Sequence, residues 1–141
     1  MNVYADTSFF VSIYITDSHS KIADELARSG LRPSFTPLHA AEWTHAVAQQ
    51  VFRGQISATD AQSLYVDLER DLNSGLWKKN AFPELAFDRC ANLARRYGAT
   101  FGVRTLDSLH VACALELKAG RFWTFDQRQA KLARAEGLKT S

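Results

Sequence analysis

Four carboxylates stand at the junctions of an alternating strand and helix pattern: Asp6, Glu42, Asp107 and Asp126. Asp6 and Asp126 follow apolar strands directly, and Asp107 falls in the first turn of an apolar helix, where the helix dipole favours negative charge. Glu42 lies further into its helix, on a side chain long enough to reach a neighbouring element. In an open parallel sheet such junctions converge on the carboxyl edge of the strands, so acids far apart in sequence can share one cleft. At an effective dielectric of about 20, two carboxylates roughly 5 Å apart repel by about 3 kcal/mol, a cost that a hard divalent cation such as Mg²⁺ or Mn²⁺ removes. Cations held in this way activate water and stabilise the charge that develops on phosphate oxygens during in-line attack. The residue types therefore suggest metal-assisted phosphoester chemistry with water as the nucleophile.

Each acid also has a plainer reading. Asp6 could cap a helix, Asp126 could serve a turn, and Asp107 has Arg104 nearby as an ion-pair partner. A rival constellation is present as well: Glu42 to His45 and Asp107 to His110 each set an acid and a histidine three residues apart, as in di-iron carboxylate bundles. Those sites need four long helices, whereas Asp6 and Asp126 here adjoin apolar strands. His110 then reads as a satisfied histidine of its helix and His45 as a surface or packing residue, while His39 and His19 show no evident partner. A haloacid-dehalogenase-like phosphatase would need a second aspartate two residues after the first, and position 8 is Ser8. No glycine-rich phosphate loop occurs, which excludes P-loop nucleotide hydrolysis.

The elements that would position the acids can be read from pattern and punctuation. Val3 to Ala5 is a short strand, and Thr7 and Ser8 cap a helix opening at Phe9. A second helix spans Ser20 to Arg28 and stops at Gly30. Pro33 to Phe35 forms a strand, followed by Thr36 as N-cap and Pro37 at the first helical position of a helix that runs to Phe52 and ends at Gly54. Ser57 to Leu72 forms a polar-faced amphipathic helix that starts with a Ser or Thr cap. Leu76 to Lys79 is a weak strand, Pro83 to Tyr97 a helix stopped by Gly98, and Leu106 to Ala119 a helix capped by Thr105 and closed by Gly120. That last helix is apolar on almost every side, the mark of a central buried element. Phe122 to Phe125 is an apolar strand, as expected in a parallel sheet covered on both faces. Gln127 to Ala135 is a final helix, leading through Gly137 to a short strand near Leu138. Helices interleaved with short strands specify an α/β class, a three-layer α/β/α sandwich.

The chain has 141 residues, which suits one domain over residues 1–141 that buries roughly 68% of its unfolded surface without a disulfide staple. Cys90 and Cys113 both lie in apolar helical contexts and read as reduced core thiols. The apolar N-terminal stretch lacks a basic leading region and carries Asp6, and no run approaches a membrane span, so a cytoplasmic location is expected. A net charge of +2 is too small to prove a nucleic-acid partner. Arg53, Lys78, Lys79, Arg104, Arg121 and Arg128 are among the scattered basic residues that could rim an acidic cleft, or equally form solvated helix faces.

Taken together, the segments VYADTSFF with Asp6, TPLHAAEWTHA with Glu42, RTLDSLHVACALELKAG with Asp107 and RFWTFDQRQAKLARAEGL with Asp126 resemble a PIN-domain ribonuclease of the VapC type, the toxin of VapBC toxin-antitoxin pairs. They follow the family's order almost end to end, and the Asp107 helix with the strand towards Asp126 is the most specific part. The resemblance implies a Rossmann-like sandwich with a short parallel sheet, Mg²⁺ or Mn²⁺ held by Asp6, Glu42, Asp107 and Asp126, and endonucleolytic cleavage of RNA. It also implies that Thr7 and Ser8 orient Asp6 and that Thr124 donates a hydrogen bond beside the metal ligands. Such toxins are commonly homodimers inhibited by a small antitoxin, and Phe9, Phe10, Ile13, Tyr14 and Trp43 would face such a partner or else form ordinary core. The alternative function is a catalytically silent PIN-like module that binds RNA or protein.

Overall fold

A computed structural model describes residues 1–141, and the chain divides into two compact units, Met1–Asp6 with Phe82–Ser141, and Thr7–Ala81. The first unit contains β1 (Val3–Ala5), α5 (Ala86–Leu93), α6 (Ala99–Phe101), α7 (Thr105–Glu116), β4 (Arg121–Trp123), α8 (Gln127–Ala135) and β5 (Lys139–Thr140). The second contains α1 (Thr7–Tyr14), α2 (Ser20–Ala27), β2 (Pro33–Phe35), α3 (Pro37–Phe52), α4 (Ala58–Asn73) and β3 (Lys78–Lys79). Every strand pairing described within a unit is parallel: β1 with β4, β4 with β5, and β2 with β3. Parallel strands alternating with helices are the α/β class that the sequence leads one to expect.

In the first unit β4 lies between β1 and β5, with Tyr4 aligned to Phe122 and Phe122 to Thr140. Tyr4 and Phe122 stack at 5.6 Å between ring centroids. Helix α7 is buried without interruption from Ser108 to Ala114, which matches its all-round apolar composition. Arg89 of α5 holds Glu116 at the far end of α7 through Nε at 3.1 Å and Nη2 at 2.8 Å. Cys90 and Cys113 are free and buried. Burial raises both thiol pKa values, that of Cys113 to about 11, which makes them inert core groups.

Several element bounds depart from the sequence reading: α1 opens at Thr7, so Thr7 and Ser8 lie inside it and do not cap it; α7 opens at Thr105, with Arg104 in the N-cap place; and β4 ends at Trp123, short of Asp126. Gly98 does not stop the helix after Pro83. Instead α5 starts at Ala86, a π-helical turn spans Ala94–Gly98, and α6 carries the chain on to a left-handed Gly102 at φ 66°. Tyr97 and Phe101 stack at 5.1 Å across this wide turn, and the Tyr97 hydroxyl donates to Glu136 at 2.9 Å, so side-chain contacts carry the chain past the glycine. Likewise α7 ends at Glu116, with Leu117 as its C-cap and Lys118 in the left-handed region at φ 60°. Gly120 is already part of the approach to β4, donating to the Asn2 carbonyl at 2.9 Å.

The second unit is built round an aromatic core. Phe10 packs edge-on against Phe35, Trp77 and His39 at centroid distances of 5.0, 5.3 and 5.3 Å. Trp43 meets Tyr14 at 5.4 Å. Phe9, Phe10 and Trp43 are fully buried, so these three are core residues and do not present a partner-facing surface. His39, without a partner in the sequence reading, closes the start of α3: its Nδ1 accepts the Thr36 N–H at 3.0 Å. His45 bonds the Ala41 carbonyl one turn back on the helix surface.

Candidate active site

Parallel register sets Ala5 opposite Trp123, so the residues that follow them, Asp6 and Thr124, leave β1 and β4 at the same carboxyl edge. The Asp6 N–H extends the ladder to the Trp123 carbonyl at 3.0 Å. Both side chains are buried, and the Thr124 hydroxyl donates to Asp6 Oδ2 at 2.8 Å. The same Oγ1 accepts the Asp126 N–H at 3.0 Å and stands 2.7 Å from Gln129 Oε1. Asp126 is the N-cap of α8, its Oδ1 accepting the Gln129 N–H at 3.0 Å. From the first turn of α8, Gln129 reaches across to α7, where its Nε2 donates to the Asp107 carbonyl at 3.2 Å.

Asp107 occupies the first turn of α7. Its Oδ2 accepts the Arg104 N–H at 3.3 Å and lies 3.8 Å from Arg104 Nε. Arg104 is 81% exposed, so this ion pair is worth about 1 kcal/mol or less. The first unit thus links Asp6, Asp107 and Asp126 in one network through Thr124 and Gln129. Glu42, in the second unit, accepts a 2.7 Å hydrogen bond from the buried hydroxyl of Thr7. Ser8 is exposed at the second position of α1. His110 bonds the Tyr4 hydroxyl through Nδ1 at 2.7 Å in the interior, a satisfied histidine as expected.

The donor set suits a hard cation. Asp107 and Asp126 each commit one carboxylate oxygen to a backbone N–H and leave the other without a protein donor. Neither unit gathers three His, Cys, Asp or Glu side chains closely enough to cage an ion. An ion held here therefore needs water or phosphate oxygens in its shell, which is how Mg²⁺ is normally bound. A 780 Å³ cleft of the second unit, lined by Tyr14, Asp17, Gln50 and Asp60 among others, contains none of the four acids. In the first unit a 500 Å³ groove lies beside the start of α7, lined by Cys90, Val103, Arg104, Thr105 and Ser108 among others.

Gln129 escaped the sequence reading. The available signal was the Asp126 to Gln129 spacing, which is that of a capping box. In the folded chain the glutamine side chain turns away from that local role, and Thr124 takes the N-cap N–H in its place.

The model of the PIN domain family matches residues 3–135. The chain belongs to the PIN domain family. PIN domains are generally nucleases that use divalent metals, and the oxygen-rich cluster is suited to that chemistry. No curated protein matches the sequence significantly. Among solved structures, this PIN domain is similar to FitAcB from Neisseria gonorrhoeae, with a TM-score of 0.70 and 17% identity over 98% of this chain and 95% of that one. It is also similar to VapBC2 from Rickettsia felis, bound to a DNA fragment from their promoter, with a TM-score of 0.65 and 17% identity over 100% of this chain and 98% of that one. At such identity the likeness is one of fold.

Proposed function

We propose that this PIN domain is a metal-dependent endoribonuclease, the VapC-type toxin of a type II toxin-antitoxin pair. The observation that carries the reading is the Asp6, Thr124, Asp126, Gln129 and Asp107 network at the carboxyl edge of β1 and β4. Asp6, Asp107 and Asp126, with Glu42 as the fourth acid, are the proposed ligands of Mg²⁺ or Mn²⁺. A bound divalent ion supplies water of lowered pKa and offsets the charge developing on the phosphate. The protein's own groups supply orientation: Thr124 holds Asp6 before a cation arrives, the cap geometry fixes Asp126, and the α7 backbone fixes Asp107. Arg104, exposed beside Asp107, is placed to attract the phosphates of RNA.

An antitoxin partner and a homodimeric, cytoplasmic toxin are part of the same proposal. The family match and the fold shared with FitAcB and VapBC2 support it, and no helix is long and apolar enough to cross a membrane. The test is cleavage of end-labelled total RNA with Mn²⁺ or Mg²⁺, beside EDTA and the Asp107→Asn variant. Discrete fragments that need both the metal and Asp107 are expected. An inactive protein that still binds metal would favour the silent binding module, and cutting that survives EDTA would rule out the metal chemistry.

A further inference from the structure

The Thr124 hydroxyl has one proton and faces two acceptors, Asp6 Oδ2 at 2.8 Å and Gln129 Oε1 at 2.7 Å. Its oxygen already accepts the Asp126 N–H at 3.0 Å. Gln129 cannot turn its amide nitrogen towards Thr124 without giving up the Asp107 carbonyl, to which Nε2 donates at 3.2 Å. The glutamine is 2% exposed, so solvent does not supply the missing donor. One proton therefore serves two oxygens that cannot be satisfied together.

A carboxylate is the stronger acceptor of the two, because hydrogen bonds to an ionised group are roughly twice as strong as neutral ones. While Asp6 bears its full charge, the Thr124 proton points to Asp6, and Gln129 Oε1 faces a bare hydroxyl oxygen. That contact is unfavourable in a buried setting. A cation that draws on the charge of Asp6 weakens the first hydrogen bond and reverses the order.

We propose that Gln129 is a positioning residue that acts as a reserve acceptor for Thr124: the hydroxyl proton turns from Asp6 to Gln129 Oε1 when a divalent cation binds, so Gln129 raises metal affinity without touching the metal. The inference rests on the metal-nuclease reading above and adds a residue that the acid pattern does not contain. The orientation of a single hydroxyl couples Asp6, at the end of β1, to the first turn of α8 and, through the same amide, to the backbone of α7.

The experiment is a double-mutant cycle on the full chain, with Mn²⁺ affinity read from the electron paramagnetic resonance of free Mn²⁺ and folding from circular dichroism. Gln129→Met keeps the volume and removes the acceptor, together with the Nε2 donor to the Asp107 carbonyl, and should weaken Mn²⁺ binding about threefold to tenfold, the worth of one net hydrogen bond. Gln129→Glu, which keeps an acceptor at that position, should bind at least as tightly as the parent. In a Thr124→Val background the Gln129→Met effect should shrink to the part carried by the Asp107 carbonyl, since the hydroxyl through which the acceptor acts is gone. A second measurement needs no variant: the side-chain amide resonances of Gln129 should shift during Mg²⁺ titration of the parent.

Parental affinity in Gln129→Met, an undiminished effect in the Thr124→Val background, or an unmoved Gln129 amide would each overturn the reserve-acceptor role and leave the metal reading standing. A parent protein that binds no Mn²⁺ would overturn both.

Discussion

At the scale of single residues, hydroxyls tie down two of the candidate acids. Thr124 holds Asp6 at 2.8 Å and Thr7 holds Glu42 at 2.7 Å, and hydrogen bonds to charged groups contribute about 1.5–3 kcal/mol each. Thr7→Val should therefore lower RNA cleavage by roughly tenfold or more with little change in the folded circular dichroism spectrum; cleavage at the parental rate would show that the Thr7–Glu42 hydrogen bond plays no part in it. Asp107→Asn is expected to fold, because the asparagine oxygen can still accept the Arg104 N–H and the ion pair it loses is exposed. Loss of Mn²⁺ binding together with loss of cleavage would identify Asp107 as a ligand, and retained binding would assign it to helix capping alone.

At the scale of elements, aromatic packing fixes both α1 and α3, and in α3 it adds to the Thr36–His39 cap. Phe10 is fully buried against Phe35, His39 and Trp77, so Phe10→Ala should destabilise the protein by about 3–5 kcal/mol in urea titrations. At the end of α1, the Tyr14 hydroxyl donates to Asp71 at 2.5 Å and accepts from Trp77 Nε1 at 2.7 Å. Burial, followed by the hydrogen bond to Asp71, raises the Tyr14 pKa well above the ordinary phenol value of 10.0. The folded chain then keeps a proton that the unfolded chain releases above pH 10, so this contribution is complete below about pH 10 and is lost as pH rises from there. Tyr14→Phe should lower stability at neutral pH and flatten the loss between about pH 10 and 12. An equal alkaline slope in both proteins would show that other groups control it.

At the scale of the whole molecule, a net charge of +2 gives no strong general attraction to RNA, so docking must come from local placement of basic groups. Arg104, Arg121, Arg128, Lys78 and Lys79 are all exposed. If such groups engage the substrate, the logarithm of RNA affinity should fall linearly with the logarithm of salt concentration, by about 0.7 per phosphate contacted on a single strand. Affinity unchanged between low and high salt would exclude that mode of docking. The chain enters the first compact unit with Met1–Asp6, builds the second as Thr7–Ala81, and returns at Phe82. The shared network of Asp6, Thr124 and Gln129 therefore joins the first residues of the chain to nearly the last.

What the sequence determined by itself is local in origin. The Thr36-Pro37 start of α3, the Ser57 cap of α4, the left-handed turns at Gly30 and Gly54 and the bounds of α8 were all legible, because each depends on the φ preference or hydrogen bonding of neighbouring residues. The places of Asp6, Asp107 and Asp126 were legible as well, since each sits at an element end that hydrophobic pattern reveals. What tertiary structure decided is non-local. The run through Gly98 depends on the Tyr97 contacts to Phe101 and Glu136, the burial of Phe9, Phe10 and Trp43 depends on the elements that cover them, and Gln129 depends on where α7 and β4 place the Asp107 carbonyl and the Thr124 hydroxyl. Sequence spacing specifies which side chains leave an element and at which end. Whether two of them meet is set by strand register and helix packing, which only the folded chain contains.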